Sequence, residues 1–408
     1  MQSARVGALG LAVALAACAG GAAEGPRASR EASLDPLAAY LREPAFRRRE
    51  LEASLVSATN DYARRRLAAY TEERWGALPE WNPPTAPARF GPEPPTREGL
   101  RALPLPRGQG SPTEAELLEL GRVAFVAYPL QVATYARPAL ARSDVRDRYG
   151  LEERDGAVNG VVVAEAAGGA LVHALTCATC HSTVEGGRWV PGKTNARLRL
   201  DRLIADEGGG GPELWGPGRV DVTSDGVENP TAITDLRPVR FQVNLHKAAT
   251  VRNGLVPLAI RIETLCITSL GESHRPPREV ALGLALYVRS LGEGLALPEA
   301  TGRGREVFSR ECAGCHAGEG LTGPAVPLAA VSGNAPILES PERTTGTARV
   351  PSLRGVGDRA PLLSAGEAPS LDALLAPPPA SAPRGHTFGQ ALSPDDRASL
   401  LAHLRALR

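Results

Sequence analysis

The segment Cys177-Ala178-Thr179-Cys180-His181 recurs downstream as Cys312-Ala313-Gly314-Cys315-His316. Both read C-x-x-C-H, and this pattern constrains the chain more than any other stretch. Two thiols three positions apart reach the two vinyl groups along one edge of a haem and form thioethers. The adjacent histidine then falls beneath the iron as an axial ligand. The pattern reads as covalent attachment of two c-type haems, with Cys177, Cys180, Cys312 and Cys315 as tethers and His181 and His316 on the irons. The protein supplies tether and imidazole, and the cofactor carries the redox chemistry. One copy can arise by coincidence, but the two use four of only six cysteines. Zinc, which also takes Cys and His ligands, is the sharper rival. The two pairs lie far beyond the roughly 15–20 residues usual between the halves of such a site. Disulfides are the remaining alternative.

The N-terminus agrees with haem attachment outside the cytoplasm. Arg5 gives a short positive region, and Val6 to Ala17 is apolar but too short to span a bilayer. It ends in Leu15-Ala16-Ala17-Cys18, which resembles the lipobox of bacterial lipoproteins. That resemblance implies removal of residues 1–17, lipidation of Cys18 and a protein held to a membrane by acyl chains alone. Ala19, not Asp, follows Cys18, which in that family implies sorting to the outer membrane, so the expected place is the periplasm, with a lipid anchor in the outer membrane and no spanning helix. An ordinary secretory signal with an incidental cysteine is the alternative, and it exports the chain equally. Cys266 lies in apolar Ile262-Glu263-Thr264-Leu265-Cys266-Ile267 and reads as a buried, inert thiol.

The formal net charge is +1, and Arg5 leaves with the signal, so no global field argues for nucleic acid. Lys193 and Lys247 are the only lysines. Aromatic residues make up 4% of the chain, so two haems would be the largest flat apolar bodies in its core.

After a tether rich in Ala, Gly and Arg, Asp35 to Trp75 carries apolar residues at helical spacing. Leu78 to Pro112 is dense in Pro and Gly and reads as an extended strap or linker. Thr113 followed by acidic residues opens a helix containing Gly121-Arg122-Val123-Ala124-Phe125. The same G-R-x-x-F pattern recurs as Gly304-Arg305-Glu306-Val307-Phe308, just before the second haem motif. Leu286-Tyr287-Val288-Arg289-Ser290-Leu291 likewise matches Ala402-His403-Leu404-Arg405-Ala406-Leu407. The repeat is helix, C-x-x-C-H, long loop, closing helix. It resembles the cytochrome c fold, whose first and last helices cross beside the haem. Val161 to Glu165 and Ala170 to Leu175 flank Gly168-Gly169 and predict a β-hairpin leading into the first motif.

The expected architecture is mainly α: two cytochrome c-like domains, an N-terminal helical arm and a small β-hairpin insertion. The expected boundaries are a signal at 1–17, tether, arm and linker at 18–112, a first domain at 113–297 and a second at 298–408.

The only methionine is Met1, which leaves with the signal, so histidine–methionine ligation is excluded for both haems. His246 and His386 occupy similar places in the loops of the two modules and are the distal candidates, His246 for the haem on His181 and His386 for the haem on His316. The alternative for each is a loop histidine bonded to backbone. His403 aligns with Tyr287 and reads as a packing residue, His173 as a strand residue and His274 as solvated. Asp221 to Asn229 has oxygen side chains at alternate positions and a glycine at the sixth, the first half of an EF-hand-like calcium loop. Ala232 stands where the bidentate Glu belongs, so a plain turn-rich loop is the alternative to calcium.

Thr347-Ala348-Arg349-Val350-Pro351-Ser352-Leu353-Arg354, then Ala360 to Gly366, then Pro369 to Leu375, is similar to the C-terminal domain of bacterial di-haem cytochrome c peroxidases and their methylamine-utilisation relatives. The resemblance covers 301–408 well, 113–300 weakly and nothing before. It implies two facing haem domains that pass electrons between them to reduce peroxide or oxidise a protein. Ser364-Ala365-Gly366 replaces the family's His-Asp-Gly, and no motif places a distal acid–base group; Glu185 and Gln242 are the polar residues considered for that role. The leading expectation is a di-haem electron-transfer cytochrome with a redox protein as partner. The alternatives are a peroxidase-like oxidoreductase acting on peroxide and a non-redox metal-binding or interaction protein.

Overall fold

The computed structural model describes residues 35–108, 110–206, 215–223, 226–295, 297, 302–331, 336–377 and 385–408. The signal segment and Cys18 lie outside the described residues.

Two crossed helix pairs carry the haem motifs. In the first, Thr113 caps the helix Glu114–Ala127 through a capping box. Its Oγ1 accepts from Glu116 N at 3.2 Å and Glu116 Oε2 accepts from Thr113 N at 2.8 Å, an arrangement worth about 1 kcal/mol. The buried face of this helix, Leu117, Leu120, Gly121, Ala124 and Phe125, crosses the helix Arg278–Ser290. The crossing is closest at two glycines: a Cβ on Gly121 would lie 1.9 Å from Gly283 O. In the second pair, the helix Arg303–Glu311 crosses Pro394–Ala406, and a Cβ on Gly304 would lie 2.3 Å from Ser399 O. Phe125 packs on Tyr287 at 5.3 Å between ring centroids, and Phe308 on His403 at 5.2 Å. The G-R-x-x-F repeat is thus a spatial one, and His403 takes the packing place of Tyr287.

The β-hairpin forms where the sequence predicts it. Val161–Glu165 pairs antiparallel with Leu171–Leu175, in the register Val161 with Leu175 to Glu165 with Leu171. Thr85–Pro87, from the Pro-rich strap, adds one edge and Gln131–Val132 the other, giving a four-stranded sheet. Proline is tolerated there because an edge strand has an unused N–H side. The remaining described strands form two-stranded sheets. Helices and small sheets therefore share the fold, with more β-structure than a mainly α reading anticipates.

The N-terminal helical segment does not stand apart as an arm. It folds as three helices, Pro36–Arg42, Pro44–Ser54 and Asp61–Ala69. Tyr40, Leu51 and Tyr62 join one apolar core with Leu117, Phe125 and Val280. Glu263, only 2% exposed in the helix Leu255–Thr268, accepts from Tyr40 Oη at 3.1 Å and from Tyr70 Oη at 2.9 Å. Pro36 to Arg408 forms one compact unit. Among the described residues no helix is long and apolar enough to cross a membrane.

Candidate functional site: two C-x-x-C-H centres

The first motif is a short helix, Cys177–His181, capped by Thr176. It is tied to the hairpin, because Thr176 Oγ1 and Thr179 Oγ1 both donate to Gly160 O, at 3.0 and 2.6 Å. Ala178 and Thr179 point inward and are buried, while Cys177, Cys180 and His181 keep part of their surface. Cys177 and Cys180 are not joined to each other, and as free thiols burial pushes both up to about 12. His181 Nδ1 donates to Thr234 O at 2.9 Å, leaving Nε2 for a metal. Burial pulls the imidazole down to about 4, against Thr234 O and the Asp235 carboxylate, so it is neutral as a ligand must be.

The second motif follows the helix Arg303–Glu311 without a break. His316 Nδ1 donates to Leu321 O at 3.2 Å, and burial pulls this imidazole, too, down to about 4. Both motif histidines thus have the tautomer and the backbone partner that would orient a metal-bound imidazole. Burial pushes the Cys312 thiol up to about 11. The loop beneath is braced by Thr322 Oγ1 on Val350 O and Ser352 Oγ on Gly320 O, each at 2.6 Å.

His386 faces His316, with ring centroids 6.5 Å apart and planes inclined at 53°. An iron held at about 2 Å by one nitrogen of each ring sets the centroids roughly 6 Å apart. His386 Nδ1 is buried and has no hydrogen-bond partner, so it is a nitrogen available to a metal.

The donor set also fits the haem carboxylates. Lys247, Arg261, Arg349 and Arg359 lie deep in the protein, and burial lowers the proton affinity of all four, Lys247 to about 7 and Arg349 to about 10. Each is nevertheless only half-buried by accessible surface. No described carboxylate lies within ion-pair distance of any of the four, although buried cations are normally paired. Haem propionates would match them. Sequence reasoning missed this set. The signal was present in the singular Lys247 and in Arg349 of the Arg-Val-Pro-Ser-Leu-Arg segment.

His246 is placed differently from His386. Its Nε2 accepts from Arg261 Nε at 2.7 Å and its ring meets Tyr62 edge-on at 5.1 Å. Burial and then the charges of Arg261, Arg343, Arg66 and Arg349 hold it well below the usual histidine range. Among the described residues no histidine ring packs against His181. His246 and Ala249 have positive φ (58° and 51°), and so do Leu363 and Gly366 (70° and 74°). The two turns touch, Lys247 Nζ donating to Ser364 O at 2.6 Å and to Ala232 O at 2.7 Å.

Of the other residues singled out, His173 lies on its strand, while His274 is not solvated: it packs on Trp81 at 4.2 Å. Cys266 is buried. Glu185 pairs with Lys193 at 2.6 Å, and Gln242 is buried with its Oε1 unpartnered. In the calcium-like loop, Asp221 spends both oxygens on the loop itself, accepting from Thr223 N at 2.8 Å and Asn229 N at 2.9 Å. Ser224 and Asp225 lie outside the described residues.

Residues 302–408 match the model of the cytochrome c family. This part of the chain is a cytochrome c domain, and with it come covalently bound c-type haem and electron transfer. No curated protein matches the chain. Among solved structures, a MauG-like protein associated with microbial copper homeostasis is similar at 17% identity, covering 81% of this chain and 94% of that one, with a TM-score of 0.39.

Proposed function

We propose that the chain is a di-haem c-type cytochrome that transfers electrons in the bacterial cell envelope. One haem would be held by Cys177, Cys180 and His181, the other by Cys312, Cys315 and His316, with the His386 imidazole available as a further ligand to the latter. The observation that carries this reading is the repeated arrangement of thiols and a neutral, carbonyl-bound imidazole beside a crossed helix pair. When bound, each haem supplies one-electron redox chemistry. The chain's own part is to tether it, fix the imidazole through Thr234 O or Leu321 O, neutralise its propionates with Lys247, Arg261, Arg349 and Arg359, and exclude water. Export follows from the N-terminal apolar segment, and lipidation of Cys18 would hold the protein at the outer membrane.

A second reading, a peroxidase-type oxidoreductase, is favoured by one feature: among the described residues no imidazole lies against His181, and His246 is engaged by Arg261. A haem there would offer an open position to peroxide. Absorption and EPR spectra of the oxidised protein separate the two. The electron-transfer reading expects no rapid reaction with peroxide; rapid turnover with a reduced donor would replace it with the peroxidase reading.

A further inference from the structure

The carbonyl that fixes the first proximal histidine belongs to an ion network reaching into the other module. His181 Nδ1 donates to Thr234 O at 2.9 Å. The next residue, Asp235, is 4% exposed, and Arg237 grips its carboxylate through Nη2 at 2.6 Å and Nε at 3.1 Å. The same guanidinium donates to Asp358, through Nη2 at 3.0 Å and Nη1 at 3.2 Å. Asp358 closes the turn Val356–Asp358 within the cytochrome c domain and also receives Lys193 Nζ at 3.4 Å. The main chain completes the circuit: Gly192 N donates to His181 O at 2.7 Å and Leu236 N to Gly192 O at 2.8 Å.

We propose that Arg237 is a positioning residue which, clamped between Asp235 and Asp358, sets the reduction potential of the haem at Cys177 and Cys180 and makes it depend on the second module. The inference rests on the di-haem reading. A carboxylate close behind a proximal imidazole strengthens electron donation and favours oxidised iron. Arg237 offsets that charge, and Asp358 in turn offsets part of Arg237. Removing the guanidinium must lower the potential, whereas removing the Asp358 charge must raise it. A brace acting only on geometry has no reason to give opposite signs.

The test is a redox titration of the full-length holoprotein and its Arg237→Gln, Arg237→Lys and Asp358→Asn variants, with the two haems distinguished by EPR. Mass spectrometry of wild type first establishes haem on the Cys177 and Cys180 peptide; its absence there overturns the di-haem reading itself. At a fixed poise, Arg237→Gln should lower the reduced-to-oxidised ratio of the first haem by roughly three- to tenfold, and Asp358→Asn should raise it by a similar factor. Arg237→Lys, which keeps the charge, should stay near wild type, and the second haem should not move. The Fe–His stretching frequency of the reduced first haem should shift in opposite directions in the two neutralised variants. If Arg237→Gln does not fold, an upward shift in Asp358→Asn beside an unchanged Arg237→Lys supports the proposal. Shifts of the same sign, no shift in Asp358→Asn, or a shift confined to the second haem overturn it.

Discussion

The imidazole rings of His316 and His386 stand 6.5 Å apart, with the unpartnered Nδ1 of His386 enclosed in the protein. This spacing suits two axial ligands on one iron, so His386→Ala should convert one haem from low-spin to high-spin and leave the other's EPR signal unchanged. His246→Ala should leave both spectra as in wild type, because His246 Nε2 is held by Arg261. A high-spin conversion in the His246 variant and none in the His386 variant would reverse the assignment.

The helix crossings depend on missing side chains. At Gly121 a Cβ would meet Gly283 O at 1.9 Å, and backbone cannot yield as a flexible side chain does. Gly121→Ala should destabilise the protein by about 1–3 kcal/mol or more, read by chemical denaturation. Gly304→Ala should do the same through Ser399 O. Either variant with wild-type stability would show that the crossing is looser than described.

Glu263 holds two buried hydroxyls at once. Glu263→Leu strands Tyr40 Oη and Tyr70 Oη without their acceptor, at a cost of about 1–3 kcal/mol for each group left unsatisfied. Adding Tyr40→Phe and Tyr70→Phe should recover much of the loss, since removing both partners is cheaper than removing one. Thermal unfolding of the single and triple variants reads this directly; a triple variant less stable than the single one would refute it.

Much of this was legible locally and some was not. The C-x-x-C-H motifs, the capped helix at Thr113, the Gly-Gly hairpin and the G-R-x-x-F repeat are each written in a few consecutive residues. The docking of the N-terminal helices is not, because Tyr40 and Glu263 lie far apart in sequence and nothing near either announces the other. The setting of His246 is not local either, because it is made by Arg261 in a following helix and by Tyr62 in the N-terminal helices. Strand content was underestimated because several strands are only two residues long, shorter than any periodicity can register.

Asp358 gives a pH dependence with a definite sign. Burial alone would raise its carboxyl pKa, but Arg237 and Lys193 outweigh burial and hold it below the ordinary value. A carboxylate depressed in the folded state contributes stability above its unfolded pKa of about 3.9 and loses it as pH falls through the folded value. The stability difference between wild type and Asp358→Asn should be constant from neutral pH to about 5, shrink as pH falls past about 3.9, and be lost only below the depressed folded value. A difference that instead grows on acidification would contradict the depressed pKa.

The di-haem reading requires two covalently bound haems on one chain. Acid–acetone extraction followed by intact mass spectrometry and pyridine haemochrome analysis measures this directly. Wild type should retain two haems, the Cys177→Ser, Cys180→Ser variant one, and the Cys312→Ser, Cys315→Ser variant the other. A wild-type chain that loses all haem on extraction, or that copurifies with zinc at these cysteines, would contradict the account.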